Sequence, residues 1–246
     1  MAAIPLMYAQ DDCELGGKES IEDDFSYRNN VMNADREIRL GFIRKVYGLL
    51  TVQLLTTVAI AAVLTLVEPV QMFIHKNDWL VLVAFVLSMG TLLALIAKRK
   101  DSPANLYLLA AFTAVQAYTI GVVVSYYNTT IVLQALAITF AVVLSLTLFT
   151  FNTKRDFSFV GYGIMAGLCV LIIGGILQIF IQSSAFEVAL SFTGAILFSF
   201  FLIFDTQQMM TVLSPEEYIL ATINLYMDIL NLFLYILRIL NELNRN

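Results

Sequence analysis

The sequence predicts an all-α polytopic membrane protein, a bundle of seven spanning helices. Three observations carry that prediction. Charged residues make up 13% of the 246-residue chain and hydrophobic residues 59%, with a mean hydropathy of +0.81, whereas a soluble domain carries about a quarter charged residues. The charges are also uneven: 52 consecutive residues between Asp101 and Lys154, and 30 between Asp156 and Glu187, contain no Asp, Glu, Lys or Arg. A spanning helix takes roughly 20 mostly apolar residues, so these two windows alone hold about three spans. Finally, Pro5, Pro69, Pro103 and Pro215 all fall outside the apolar segments, as unbroken helices require.

Residues 1–40 read as a disordered cytosolic tail. Nine of them are acidic, from Asp11 to Glu37, and the apolar residues between show no period, so the segment cannot bury enough surface to fold. Residues 41–246 form the membrane domain. Its apolar segments are 46–67, 79–97, 106–127, 131–151, 157–181, 188–204 and 218–237, each 17 to 25 residues long and joined by short polar connectors. The seventh is the most polar, with Asn224, Asp228 and Asn231 inside it. Gly163 and Gly167 make a small-xxx-small pair suited to close helix contact. Asn128-Thr129-Thr130 is a glycosylation sequon so near the membrane that it is expected to stay unused.

Orientation follows from the basic residues. Six precede the first span, then one (Lys76), three (Lys98, Arg99, Lys100), none, two (Lys154, Arg155), none and none occupy successive connectors, and Arg238 and Arg245 close the chain. A cytosolic N-terminus puts eleven inside and three outside if the last segment crosses, or thirteen and one if it dips in and returns. Both keep the N-terminus in the cytosol and leave the side of the C-terminus open.

Composition excludes other functions. A net charge of −5 and a pI near 4.8 leave no basic face for nucleic acid. Cys13 and Cys169 sit in the tail and mid-span, so no disulfide is expected, and His75 is a lone histidine without the neighbours of a zinc or copper site. Residues 1–10 lack a signal peptide's basic and apolar regions, so targeting falls to the first span. No enzymatic centre or cofactor is expected.

The chemistry concentrates in two carboxylates, Asp205 and Asp228, at the edge of the sixth span and inside the seventh. An aspartate in hydrocarbon costs on the order of 2.5–3.5 kcal/mol on insertion scales, so such residues mark pathways and proton sites. Near the end of its span, Asp205 could also simply reach the headgroups. Asn224, Asp228, Asn231, Tyr235 and Arg238 share one helical face, and Ser191, Gly194 and Asp205 share another. Consecutive antiparallel helices are neighbours, which brings the carboxyls together. Such a pair cannot doubly ionise cheaply and holds one proton, which makes a pH-dependent gate. Carboxylate and amide oxygens are also what a passing Ca²⁺ prefers, so Asp205 and Asp228 are the transient metal-binding candidates.

These residues resemble a known family. Residues 225–233 (Leu-Tyr-Met-Asp-Ile-Leu-Asn-Leu-Phe), ending in Leu237-Arg238, are similar to the last helix of the transmembrane BAX-inhibitor motif (lifeguard) family. Phe204-Asp205-Thr206 and residues 42–54 match its other signatures, and residues 213–218 are most similar to its Golgi anti-apoptotic branch. The resemblance covers roughly residues 40–246. It implies a seven-helix fold with a central last helix, a paired-aspartate site, a cation leak that lowers stored Ca²⁺, and suppression of apoptosis. It also implies a basic latch on the aspartates near the end of the second span. Lys98, Arg99 and Lys100 occupy that region, either as the latch or as solvated charges. The expected surroundings are the lipid bilayer of the Golgi or another endomembrane, permeant Ca²⁺, and other membrane proteins of apoptosis or Ca²⁺ release. An intramembrane aspartyl protease would need Tyr-Asp and Gly-x-Gly-Asp motifs, and a rhodopsin a lysine in its last helix; neither is present. A non-conducting scaffold, with the aspartates merely holding helices together, is the alternative.

Overall fold

A computed structural model describes residues 31–34, 36–153, 155, 157 and 160–245. Residues 1–30 of the expected acidic tail, including Cys13, lie outside the described residues. Among the described residues there are eight α-helices and no strand: α1 (Arg36–Leu66), α2 (Glu68–Lys76), α3 (Trp79–Ala97), α4 (Ala104–Val124), α5 (Thr129–Asn152), α6 (Val160–Ile181), α7 (Ser184–Thr211) and α8 (Tyr218–Arg245). All except α2 are long and apolar enough to cross a membrane.

Several boundaries differ from the sequence expectation: α7 runs seven residues past 204, taking Asp205 into the helix, α8 runs eight past 237, and two further differences lie near the start of the domain. The first span begins ten residues early, so the end of the expected tail is structured: Val31–Asn33 forms a 3-10 turn and α1 starts at Arg36. No proline interrupts residues 36–66, and Glu37 in the first turn complements the helix dipole. At 1.5 Å per residue, the 31 residues of α1 reach well beyond a hydrocarbon core of about 30 Å. The connector 68–78 is the second difference, because it contains α2. Pro69 sits in its first turn, where a missing N–H costs nothing. Glu68 at its start and His75 and Lys76 at its end suit the dipole. Its inner end is clamped to the end of α4: His75 Nε2 lies 2.8 Å from Ser125 Oγ, and the His75 ring stacks on Tyr126. The Tyr126 hydroxyl in turn donates to Asp78.

The last helix stands at the centre. Residues such as Ile219, Leu225, Tyr226, Leu232 and Leu237 on α8 are sealed from solvent, because α8 packs against α7, α5, α1 and α4. The outward faces of α3, α5 and α6 instead expose Leu93, Phe140 and Phe180, the surface that hydrocarbon covers. Since α8 is one unbroken helix of 28 residues, about 42 Å long, it has no turn at which to dip and return. The start of α1 and the end of α8 therefore lie on opposite faces of the bundle.

Small residues set the close contacts, though not the pair expected from sequence. A β-carbon on Gly163 would meet nothing within 4 Å, so that glycine faces outward. Gly167 and Gly174, two turns apart, receive Leu197 and Leu190 of α7, each with a methyl 2.6 Å from where a β-carbon would stand. Asn128 of the sequon serves as the N-cap of α5, its side chain accepting from the Thr130 N–H at 2.9 Å.

Candidate carboxyl-pair site between the last two helices

α7 and α8 are antiparallel neighbours joined by a tight connector. After α7 ends at Thr211, Ser214 opens the 3-10 turn Pro215–Glu217 with a capping box: its hydroxyl accepts from Glu216 N–H, and Glu217 accepts from Ser214 N–H. This hairpin sets the helix register. Phe198 stacks on Tyr235 with ring centroids 5.7 Å apart. Seven residues further along each helix, two turns toward the hairpin, Asp205 meets Asp228.

The two carboxyl groups face each other at hydrogen-bonding range. Asp205 is half-buried and Asp228 is 5% exposed. Asp228 Oδ2 is sealed from solvent, and no N–H or hydroxyl donor of the described residues reaches it. A carboxylate without a donor in such a place is costly, so a proton shared with Asp205 is the arrangement that satisfies both groups. On the hairpin side, Tyr47 Oη is buried beside the hydroxyls of Thr147 and Thr206.

On the other side of Asp228, a polar web ties α8 into the bundle. Thr57 Oγ1 donates to the Gln53 carbonyl, leaving its lone pair to accept from the Tyr226 hydroxyl at 2.7 Å. Gln53 Nε2 donates to Thr113 Oγ1 at 2.7 Å, and Gln116 Nε2 reaches Ser88 Oγ and Met227 Sδ. Sequence reasoning missed these residues. Their signal was present in the i, i+4 spacing of Gln53 and Thr57 on one helix and the i, i+3 spacing of Thr113 and Gln116 on another.

The expected polar stripe divides. Asn231 Nδ2 donates to the carbonyl of Met227 on its own helix, and Asn224 is half-buried. Arg238 interacts with Tyr127 and lies 5.6 Å from the Tyr235 ring, so it belongs to the far end of the bundle. The Ser191 and Gly194 face does pack inward: Ser191 is buried, and a β-carbon on Gly194 would strike the Tyr235 ring.

The basic latch is not formed on the aspartates. Arg99 Nη2 pairs with Glu217 Oε1 at 3.2 Å, while Lys98 and Lys100 are exposed. The positive charge instead secures the hairpin, with help from Asn105 Nδ2, which donates to the Tyr218 hydroxyl, and Lys45 Nζ, 3.4 Å over the Tyr218 ring. Glu217 serves both the cap and the ion pair, whereas Arg99 serves only a partly exposed pair. Arg99→Ala is therefore expected to cost no more than about 1 kcal/mol, and Glu217→Ala about 1–2 kcal/mol because an N-cap partner is lost too. Thermal unfolding of the two variants in detergent checks the order; equal losses would contradict it.

Among the described residues, no group of three or more His, Cys, Asp or Glu converges to hold a metal ion. Ca²⁺ takes six to eight oxygens in a resident site, more than the carboxyls of Asp205 and Asp228 supply between them.

Fold and site together define a class: polytopic helical membrane proteins built around a buried carboxyl pair on their last two helices. The profile described as "Inhibitor of apoptosis-promoting Bax1" matches residues 39–246, and the chain belongs to that Bax1-I family. It is 44% identical over 231 residues to the Golgi anti-apoptotic protein of Vaccinia virus, covering 94% of this chain and 98% of that one. Protein lifeguard 4 of Mus musculus is 43% identical over 228 residues, 93% and 96% of the two chains. Bax inhibitor 1 of Schizosaccharomyces pombe is 32% identical over 247 residues, covering 100% and 92%.

Proposed function

We propose that the protein is a pH-sensitive Ca²⁺ leak channel of the Golgi or a neighbouring endomembrane, with its N-terminus in the cytosol, that lowers stored Ca²⁺ and suppresses apoptosis. The names of its relatives, a Golgi anti-apoptotic protein and a Bax inhibitor, support the cellular role. The distribution of basic residues supports the orientation. The single observation that carries the mechanism is the meeting of Asp205 and Asp228 in the apolar bundle, with Asp228 Oδ2 reached by no ordinary donor.

In this reading one proton bridges the carboxyls and holds α7 against α8. Removing it leaves two negative charges in a poorly hydrated site, where their repulsion is far stronger than in water. The helices separate at that level, water enters, and the exposed carboxylates draw cations in. Flux therefore rises as pH rises. Purified full-length protein in liposomes loaded with a Ca²⁺ indicator tests this across an acidic-to-neutral series. A leak that increases toward neutral pH supports the proposal, and a leak independent of pH overturns the gate. Absence of any leak would instead favour a scaffold that works through other membrane proteins.

A further inference from the structure

We infer that the crevice between α1, α5 and α8 is a binding site for one acyl chain of a membrane phospholipid, taken from the leaflet farther from the N-terminus. The crevice has a volume of about 310 Å³. On one side α1 is held tightly to α4, where Gly121 lets Leu64 and the Ala61 backbone approach. On the other side α5 packs on α7 and α8, so α1 and α5 diverge and leave a cleft that opens sideways. Its lips carry the exposed Val58, Leu133 and Phe140, so what stands at its mouth is bilayer hydrocarbon.

The lining makes no polar demand. It contains no charged residue; the hydroxyls of Thr57, Thr65 and Thr139 each donate to a carbonyl of their own helix, and Thr129 stands exposed at the cleft's end. Such a space stays dry and takes an apolar guest. The cleft runs from Leu66 and Thr129, at the helix ends opposite the N-terminus, to Leu54 and Val143. At 1.5 Å per residue that is roughly 18–21 Å, enough to span one leaflet's half of the hydrocarbon, about 15 Å. An alkyl chain matches both that length and the uncharged, apolar lining.

The floor gives the site its interest. It is made by Ile229, Leu230 and Phe233 of α8, beginning one residue after Asp228. A chain lodged there presses on the face of the central helix that also carries Tyr226, beside the Thr57–Tyr226 contact. The inference rests on the bundle's place in the bilayer and stands whether or not the protein conducts ions.

Full-length protein in nanodiscs containing a phosphatidylcholine with a terminal diazirine on one chain is the test. After photolysis, peptide mass spectrometry is expected to find adducts on residues 229–233, which are otherwise shielded from lipid, as well as on outward faces. Filling the cleft from either wall, with Ala62→Phe or separately Leu136→Phe, should remove the α8 adducts while those on the outward face of α3 persist as the folding control. Adducts confined to outward faces in the unaltered protein would overturn the proposal, as would α8 adducts that survive both substitutions. Photo-crosslinks between two copies through Ile229 or Phe233 would assign the cleft to a second chain and overturn it equally.

Discussion

Replacing Asp205 and Asp228 together with asparagine is expected to abolish the pH response of Ca²⁺ flux and to leave flux low at every pH. An amide has nearly the shape of a carboxylic acid, so the two side chains can still meet, one N–H₂ donating to the other carbonyl. They can never ionise, so the repulsion that opens the pair is gone. If the gate follows the carboxyl pair, flux at neutral pH should fall at least about tenfold, equivalent to about 1.4 kcal/mol of bias toward the closed arrangement. Asp228→Ala differs in kind. It removes the bridge and leaves a void facing Asp205, so it should also lower thermal stability by about 1–3 kcal/mol. Flux from the double asparagine variant that matches the parent's pH profile would show that the pair does not gate.

The second large effect is expected at Gly194, far from the carboxyls yet on the same seam. A β-carbon there would lie 2.5–2.6 Å from three atoms of the Tyr235 ring. That ring cannot simply swing aside. It is stacked on Phe198, which is stacked in turn on Phe201 at 5.3 Å. Gly194→Ala should therefore cost about 1–3 kcal/mol, and Gly194→Val more, by overpacking a filled interface. Because α7 and α8 are rigid over the two to three turns from this contact to Asp205, prising them apart here also loosens the carboxyl pair. Combining Gly194→Ala with Tyr235→Leu, which removes the obstructing ring, should recover part of the loss; thermal unfolding of the four proteins closes the cycle. Additive losses would mean the clash is absorbed elsewhere.

The class of fold was legible because hydrocarbon imposes a composition. Fifty-two residues without a charge admit few readings, and proline placement and spacing then divide the apolar stretch into helices. The pairing of Asp205 with Asp228 could also be anticipated, since adjacency of consecutive helices and the i, i+7 periodicity of each face are local properties. Other features were not local. Arg99 has acidic and aromatic residues available in several connectors, and only the folded hairpin shows that Glu217 claims it. Arg238 lies on the Asp228 face by spacing, yet its interactions are with Tyr127 and the Tyr235 ring at the far end. Gly163 and Gly167 look equivalent as a motif, but the rotation of α6 turns one outward and one toward Leu197.

Residue order alone thus settled that the long apolar segments are helices and which faces of the last two carry polar groups, because helix period and transfer energy act within a single segment. Which polar group answers which, whether the last helix crosses or returns, and where two helices part to leave a cleft depend on rotations and crossing angles between segments. Many partners compete for those contacts at nearly equal energy, and packing of the whole bundle around α8 chooses among them.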